Sequence, residues 1–138
     1  MGTYSSNLLP NSTGLDLGAP SQRWDGFFKD INVTGTITPV PNLVSIASSS
    51  NPVFDGSTGT TFLMTMTSNV ATSSVANLVP GQRYVFILVE DGTGGRTFTW
   101  PPGTRGGMVV DTTASAYNVQ EMVFDGSILV SVSSGVSV

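Results

Sequence analysis

The sequence predicts an all-β chain: an extended N-terminal arm followed by an antiparallel β-sandwich of jelly-roll type. Three observations predict it. From Pro52 onward, Gly-containing turn signals recur roughly every 8–12 residues, the spacing of short strands in a sandwich or barrel. Between the turns lie runs with a period of two, clearest over 61–67, where Phe62, Met64 and Met66 share one face. The third is composition: Lys and Arg number 5 and Asp and Glu 9 in 138 residues, so 10% of the chain is charged. A soluble domain usually has about 25%. Gly, Ser and Thr fill the difference, which suits tight turns and a surface covered by neighbours or coated with hydroxyls.

Residues 1–13 read as an extended polar arm anchored by Leu8 and Leu9, with Pro10 biasing Leu9 toward extended backbone. Residues 14–36 alternate Leu15 and Leu17 and then bring three aromatics close together, Trp24, Phe27 and Phe28. Ser21 is placed to cap a short helical turn over 22–28. This segment has too few apolar residues for a core of its own. Its aromatics are expected to pack on the following domain or on another copy of the chain. Residues 38–50 contain Pro39, Pro41 and three consecutive serines, which disfavour helix and central strand. They read as a linker pinned by Leu43, Val44 and Ile46. The expected division is an arm and assembly segment over 1–47 and a sandwich over 48–138.

Within the sandwich, 53–55 is a short strand ending at Gly56, 61–67 is a long one, and 70–78 is weaker. The centre is the unbroken apolar run 84–89, followed by the turn Glu90-Asp91-Gly92-Thr93-Gly94-Gly95 and the alternating run 96–100. Asp-Gly and Gly-Gly supply the positive φ values of tight reversals, so 83–100 is expected to form a central β-hairpin. Residues 108–110 form a short strand. Residues 116–124 and 128–132 pair across Asp125-Gly126-Ser127, and 133–138 ends as an edge strand or tail. Val-Phe-Asp-Gly-Ser occurs at Val53 and again at Val123, and reads as two similar turns.

Composition also narrows the chemistry. His and Cys are both absent, which removes the commonest general base, the commonest metal ligand and any thiolate nucleophile. Glu90 and Asp91 are adjacent, so on a strand they point to opposite faces. Asp55 and Asp125 sit in Asp-Gly turns and read as turn formers. No calcium-loop pattern occurs. The 92–95 loop opens no helix and so builds no phosphate cradle. No enzymatic activity, cofactor or metal is expected. A net charge of −4 with no basic patch argues against nucleic acid as a partner, and no apolar run approaches the roughly 18 residues of a membrane span. Residues 1–7 lack the pattern of a secretory signal. Trp24 and Trp100 are either sugar-stacking platforms or core aromatics. Arg23, Arg83, Arg96 and Arg105 are expected in ion pairs with Asp16, Asp25, Glu90, Asp91 or Asp111.

Two stretches carry a resemblance. Leu15, Leu17, Gly18, Pro20, Ser21, Arg23, Trp24, Phe28, Val33, Thr34, Gly35 and Thr36 form a pattern similar to a segment of tailed-bacteriophage structural proteins, tail fibres among them. Phe62, Pro80-Gly81-Gln82, Phe86-Ile87, Glu90-Asp91-Gly92, Arg96 to Pro101, Gly106-Gly107 and Phe124-Asp125-Gly126, in that order, resemble a domain of phage virion proteins. The resemblance implies a non-enzymatic virion structural protein, and such segments commonly sit in intertwined trimers, so a homotrimer is expected.

The leading expectation is a capsid decoration, or cement, protein on the capsid surface. It would stabilise the assembled shell by binding the major capsid protein. Its assembly interface would be Leu8, Leu9, Leu15, Leu17, Arg23, Trp24, Phe27 and Phe28. The alternative is a tail-fibre or receptor-binding module. Its loops 92–95 and 104–107, with Trp100 and Arg105, would then face a host glycan.

Overall fold

The computed structural model describes residues 42–138, which belong to one compact unit, Pro39–Val138. The arm, the aromatic segment and the assembly residues Leu8, Leu9, Leu15, Leu17, Arg23, Trp24, Phe27 and Phe28 lie outside the described residues. The fold is all-β, with no helix among those described: β1 (Leu43–Ser45), β2 (Val53–Asp55), β3 (Thr61–Met66), β4 (Ser74–Ala76), β5 (Arg83–Glu90), β6 (Tyr117–Phe124), β7 (Leu129–Ser131) and β8 (Val136–Ser137). One sheet of 6 strands runs β1-β3-β5-β6-β7, with β8 also on β6, and β2 and β4 form a second sheet.

The large sheet is mixed and the small one parallel, which corrects the expected antiparallel arrangement. The pairs β1/β3, β3/β5 and β2/β4 are parallel; β6 is antiparallel to β5, β7 and β8. From β1 to β5 the chain alternates between sheets, so β2 and β4 lie inside the crossovers joining the parallel strands. Parallel neighbours need a connection of about a dozen residues, usually a helix. Here a short strand in the second sheet replaces it, and strand follows strand in sequence as it would in an antiparallel fold.

The expected central hairpin is also corrected. Both edges of β5 are occupied, by β3 and β6, so residues 96–100 have no place beside it. After the turn they pass beneath the sheet, where Phe98 bridges Val70 and, with Trp100, packs against the core. Their alternation reflects one face laid on the core. The strand expected over 108–110 is absent too, and the sheet begins at Leu43, ahead of the boundary expected at residue 48. Edge position explains how β1 forms in a proline-flanked segment: Val44 and Ile46 face the core while Leu43 is exposed.

Phe54 of β2 joins the layers. It is fully buried and meets Phe62, Phe86 and Phe98 edge-on, with ring centroids 5.4, 5.1 and 6.2 Å away. Phe62, Met64 and Met66 of β3 are fully buried on the expected face. The repeated Val-Phe-Asp-Gly-Ser turns are indeed alike: Asp55 Oδ1 accepts the Ser57 N–H at 2.9 Å, and Asp125 Oδ1 accepts the Ser127 N–H at 2.8 Å.

Candidate functional site

The large sheet has two loop-bearing ends. β1, β3 and β5 run the same way, and Val89 stands opposite Tyr117 at the start of β6. Loops 67–69, 91–96 and 111–116 therefore gather at the Glu90 end. Loops 56–60, 77–82 and 125–128 gather at the Arg83 end.

The Glu90 end is held by backbone and carboxylate hydrogen bonds. Asp91 Oδ1 accepts the Thr93 and Gly94 N–H groups, both at 2.9 Å, and Oδ2 accepts from Arg96 Nη2 at 2.8 Å. The Arg96 hydrogen bond, ahead of those backbone donors, holds the Asp91 carboxyl below the usual carboxylate range. Glu90 is 2% exposed; its Oε2 accepts the Arg96 N–H at 3.0 Å, while Oε1 and Arg96 Nε are buried without a protein partner. The Gly95 N–H donates to the Thr112 carbonyl at 2.7 Å, and the Ser115 N–H to the Asp91 carbonyl at 3.0 Å. Gly94 fits this junction because its φ is +69° and a Cβ there would lie 2.6 Å from the Thr112 carbonyl oxygen. Asn69 Oδ1 accepts the Thr97 N–H at 3.1 Å, tying in the third loop. Thr93 and Thr112 are exposed, and no hydrogen bond within the described residues uses their hydroxyls.

Sequence reasoning missed what supports this end from below. Asn118 and Gln120 are buried on the inner face of β6. Asn118 Oδ1 accepts the Asp111 N–H at 2.7 Å and its Nδ2 donates to the Asp111 carbonyl at 3.1 Å. Gln120 Oε1 accepts the Met108 N–H at 3.2 Å. The two amides thus satisfy an irregular segment that crosses the inner face of β6 toward the 111–116 loop. A signal existed: in Asn118-Val119-Gln120-Glu121-Met122, alternation places Asn118 and Gln120 on the same face as Met122.

Trp100 and Arg105 do not join the 92–95 loop. Trp100 is half-buried, donates its Nε1–H to the Met108 carbonyl at 2.9 Å, and meets Phe86 and Phe98 at centroid distances of 5.4 and 4.9 Å. A Cβ on Gly107 would lie 2.5 Å from its Cδ1. The ring is a wall of the core rather than a loop-tip platform. Arg105 is exposed, but its backbone pairs with β7: its N–H donates to the Leu129 carbonyl and its carbonyl accepts the Ser131 N–H, each at 2.9 Å. Loops 92–95 and 104–107 thus border opposite ends of β6, separated by roughly 24 Å of strand at ~3.4 Å per residue. The two loops of the receptor-binding alternative therefore lie at two separate ends of the sheet. Of the arginines, Arg96 pairs with Asp91 as expected, whereas Arg83 pairs with Glu121 at 3.1 Å. Among the described residues, no group of three or more acidic side chains is arranged to hold a metal ion.

Four loop aspartates link this architecture to pH. The Asn77 and Ser57 donors lower the Asp55 pKa, Arg96 leads for Asp91, Thr113 for Asp111, and the Ile128 and Ser127 N–H groups for Asp125. Carboxyls depressed in the folded state contribute stability above their unfolded pKa of about 3.9, and that contribution is lost as pH falls through the lower folded values. Melting temperature is therefore expected to lose this contribution only below about pH 4. A melting temperature that rises on acidification below that point would contradict this.

A family model described as "Putative phage tail fibre C-terminal domain" matches residues 53–128. No curated protein and no solved structure matches the chain.

Proposed function

The chain belongs to the phage tail fibre C-terminal domain family, and from this we propose that it is a non-enzymatic tail-fibre module, working as a homotrimer, that contacts a host surface glycan. A phage structural role follows from membership. The match over 53–128 is the observation that carries the tail reading, and it favours the tail over a cement position on the capsid shell.

The chain's direction supports the Glu90 end as the receptor-facing one. Leu43 pairs with Thr61 at the Arg83 end, and β1 runs from there toward the Glu90 end. The 91–96 and 111–116 loops are thus remote from the point where residue 42 leads into the sheet. Their backbone is held before any ligand arrives, which reduces the ordering cost of binding. They present the unengaged hydroxyls of Thr93 and Thr112 beside the carboxylates of Asp91 and Asp111, groups that hydrogen-bond sugar hydroxyls.

Gold-labelled antibody on intact particles is expected to mark the tail; label spread over the shell would overturn the location. Thr112→Arg, on the outward side of these loops, is expected to lower particle adsorption about tenfold, equivalent to roughly 1.4 kcal/mol of binding. Ser127→Arg at the opposite end is expected to leave adsorption unchanged. Equal adsorption by both variants would remove the Glu90 end from the receptor contact.

A further inference from the structure

We propose that the outer face of the six-stranded sheet is the surface through which copies of this chain associate. The inward-facing residues of β3, β5 and β6 are taken up by the core, and those of the other parity face the opposite way. Leu63, Ile87 and Val119 form one row across these strands, with Val136 of β8 beyond Val119; Thr65, Val89 and Tyr117 form the next row, in which Val89 is buried. A sheet with one solvated side normally alternates apolar and polar residues along its strands. On this one the outer side of β5 and β6 is mostly apolar, with Thr61 and Thr65 of β3 beside it. The two-stranded sheet covers the inner side through Phe54, and no strand of the described residues is layered on the outer. Leu63, Ile87 and Val119 remain half-buried, and Tyr117 and Val136 are 49% and 60% exposed.

Size and charge identify the occupant. Strand spacings of about 4.8 Å and a rise of about 3.4 Å per residue give a face of roughly 500 Å². That is at the upper end of the largest patch on an ordinary monomer, and it approaches the roughly 600–1,000 Å² that each partner in a specific pair buries. The charged strand residues on it are Arg83 and Glu121, paired at 3.1 Å with side chains 63% and 38% exposed. The face is therefore neutral and carries one charge of each sign. Neighbouring copies in a trimer offer matching apolar rows and between them the opposite charge for each of the two, one supplying Glu121 to Arg83 and the other Arg83 to Glu121. A strongly acidic or basic partner would leave its own charge unmet. This inference rests on the homotrimer part of the proposed function and is independent of the glycan part, since the test below does not read adsorption.

The test is the mass of the full-length chain in solution, by light scattering after size-exclusion chromatography, for the natural sequence and for Ile87→Glu. Ile87 lies at the centre of the outer face, away from the core, so a single copy tolerates the change while a buried interface is left with an uncompensated charge. The expected result is more than one copy for the natural chain and a folded single copy for Ile87→Glu. Should Ile87→Glu fail to fold, Val136→Glu carries the same test, because Val136 is exposed on the same face at the sheet's rim. A folded variant that keeps the natural mass overturns the proposal. So does a natural chain that is a single copy.

Discussion

Phe54→Ala is expected to lower the stability of the folded domain by about 3–5 kcal/mol. The ring is fully buried, and with Val75 of β4 it is where the two-stranded sheet meets the large one. Removing it costs the transfer energy of the aromatic and leaves a cavity walled by Phe62, Phe86 and Phe98, each an aromatic neighbour of the lost ring. Relaxation into that cavity is limited because Phe62 and Phe86 sit on neighbouring strands in fixed register. β2 has only three residues and, among the described residues, pairs only with β4, so its place depends on this contact more than on its ladder. Against a typical total stability of about 5–15 kcal/mol, the loss is large. It should appear in urea unfolding as a lower midpoint with an unchanged slope. Val53→Ala, one residue away but 51% exposed, is expected to change stability by no more than about 0.5 kcal/mol. If the two substitutions cost the same, Phe54 is not the link between the layers.

Some of this architecture was legible because local pattern determines it. The period-two runs of β3 and β6, the apolar run of β5 and the Asp-Gly turn joining β6 to β7 each place their own residues without knowledge of distant partners. Strand direction is different. β3 and β5 are parallel because the chain between them detours through β4, and neither the Ser/Thr-rich composition of 70–78 nor its weak alternation distinguishes a detour from an ordinary neighbouring strand. The hairpin misreading has the same origin. Glu90 to Gly95 does reverse the chain, but whether 96–100 then pairs with β5 depends on β3 and β6 having already filled both of its edges. β1 was hidden because Pro39 and Pro41 argue against a central strand and are compatible with an edge.

The candidate site was legible as chemistry and illegible as geometry. Asp91, Gly94 and Arg96 announce an ordered turn, and they build one. Nothing local indicates that this turn docks on 111–116, because the docking uses main-chain groups, the Gly95 N–H and the Thr112 carbonyl. Trp100 showed the reverse: it is a residue type that dominates binding surfaces, yet its indole is half-buried and tied to the Met108 carbonyl, whereas Arg105 lends its main chain to the β7 edge and keeps its side chain exposed.

Asn118→Leu is the substitution that should connect core and loops most directly. The amide is fully buried, and replacing it with an apolar side chain of similar size removes hydrogen bonds without opening a large cavity. The Asp111 N–H and carbonyl and the Ser137 hydroxyl, which Asn118 engages at 2.7, 3.1 and 2.8 Å, lose their partner. Each uncompensated group costs about 1–3 kcal/mol, and partial rescue by water at the exposed Asp111 keeps the sum at about 2–4 kcal/mol. The consequence should not stay in the core. Asp111 opens the loop whose Thr112 carbonyl receives the Gly95 N–H, so releasing it loosens both loops of the Glu90 end. Hydrogen exchange at Gly95 is therefore expected to speed up by more than the global loss of stability explains, and particle adsorption is expected to fall although no surface residue has changed. Were Gly95 exchange to track global stability alone, the buried amides would hold up the sheet without ordering the loops, and the Glu90 end would owe its rigidity to Asp91 and Gly94 by themselves.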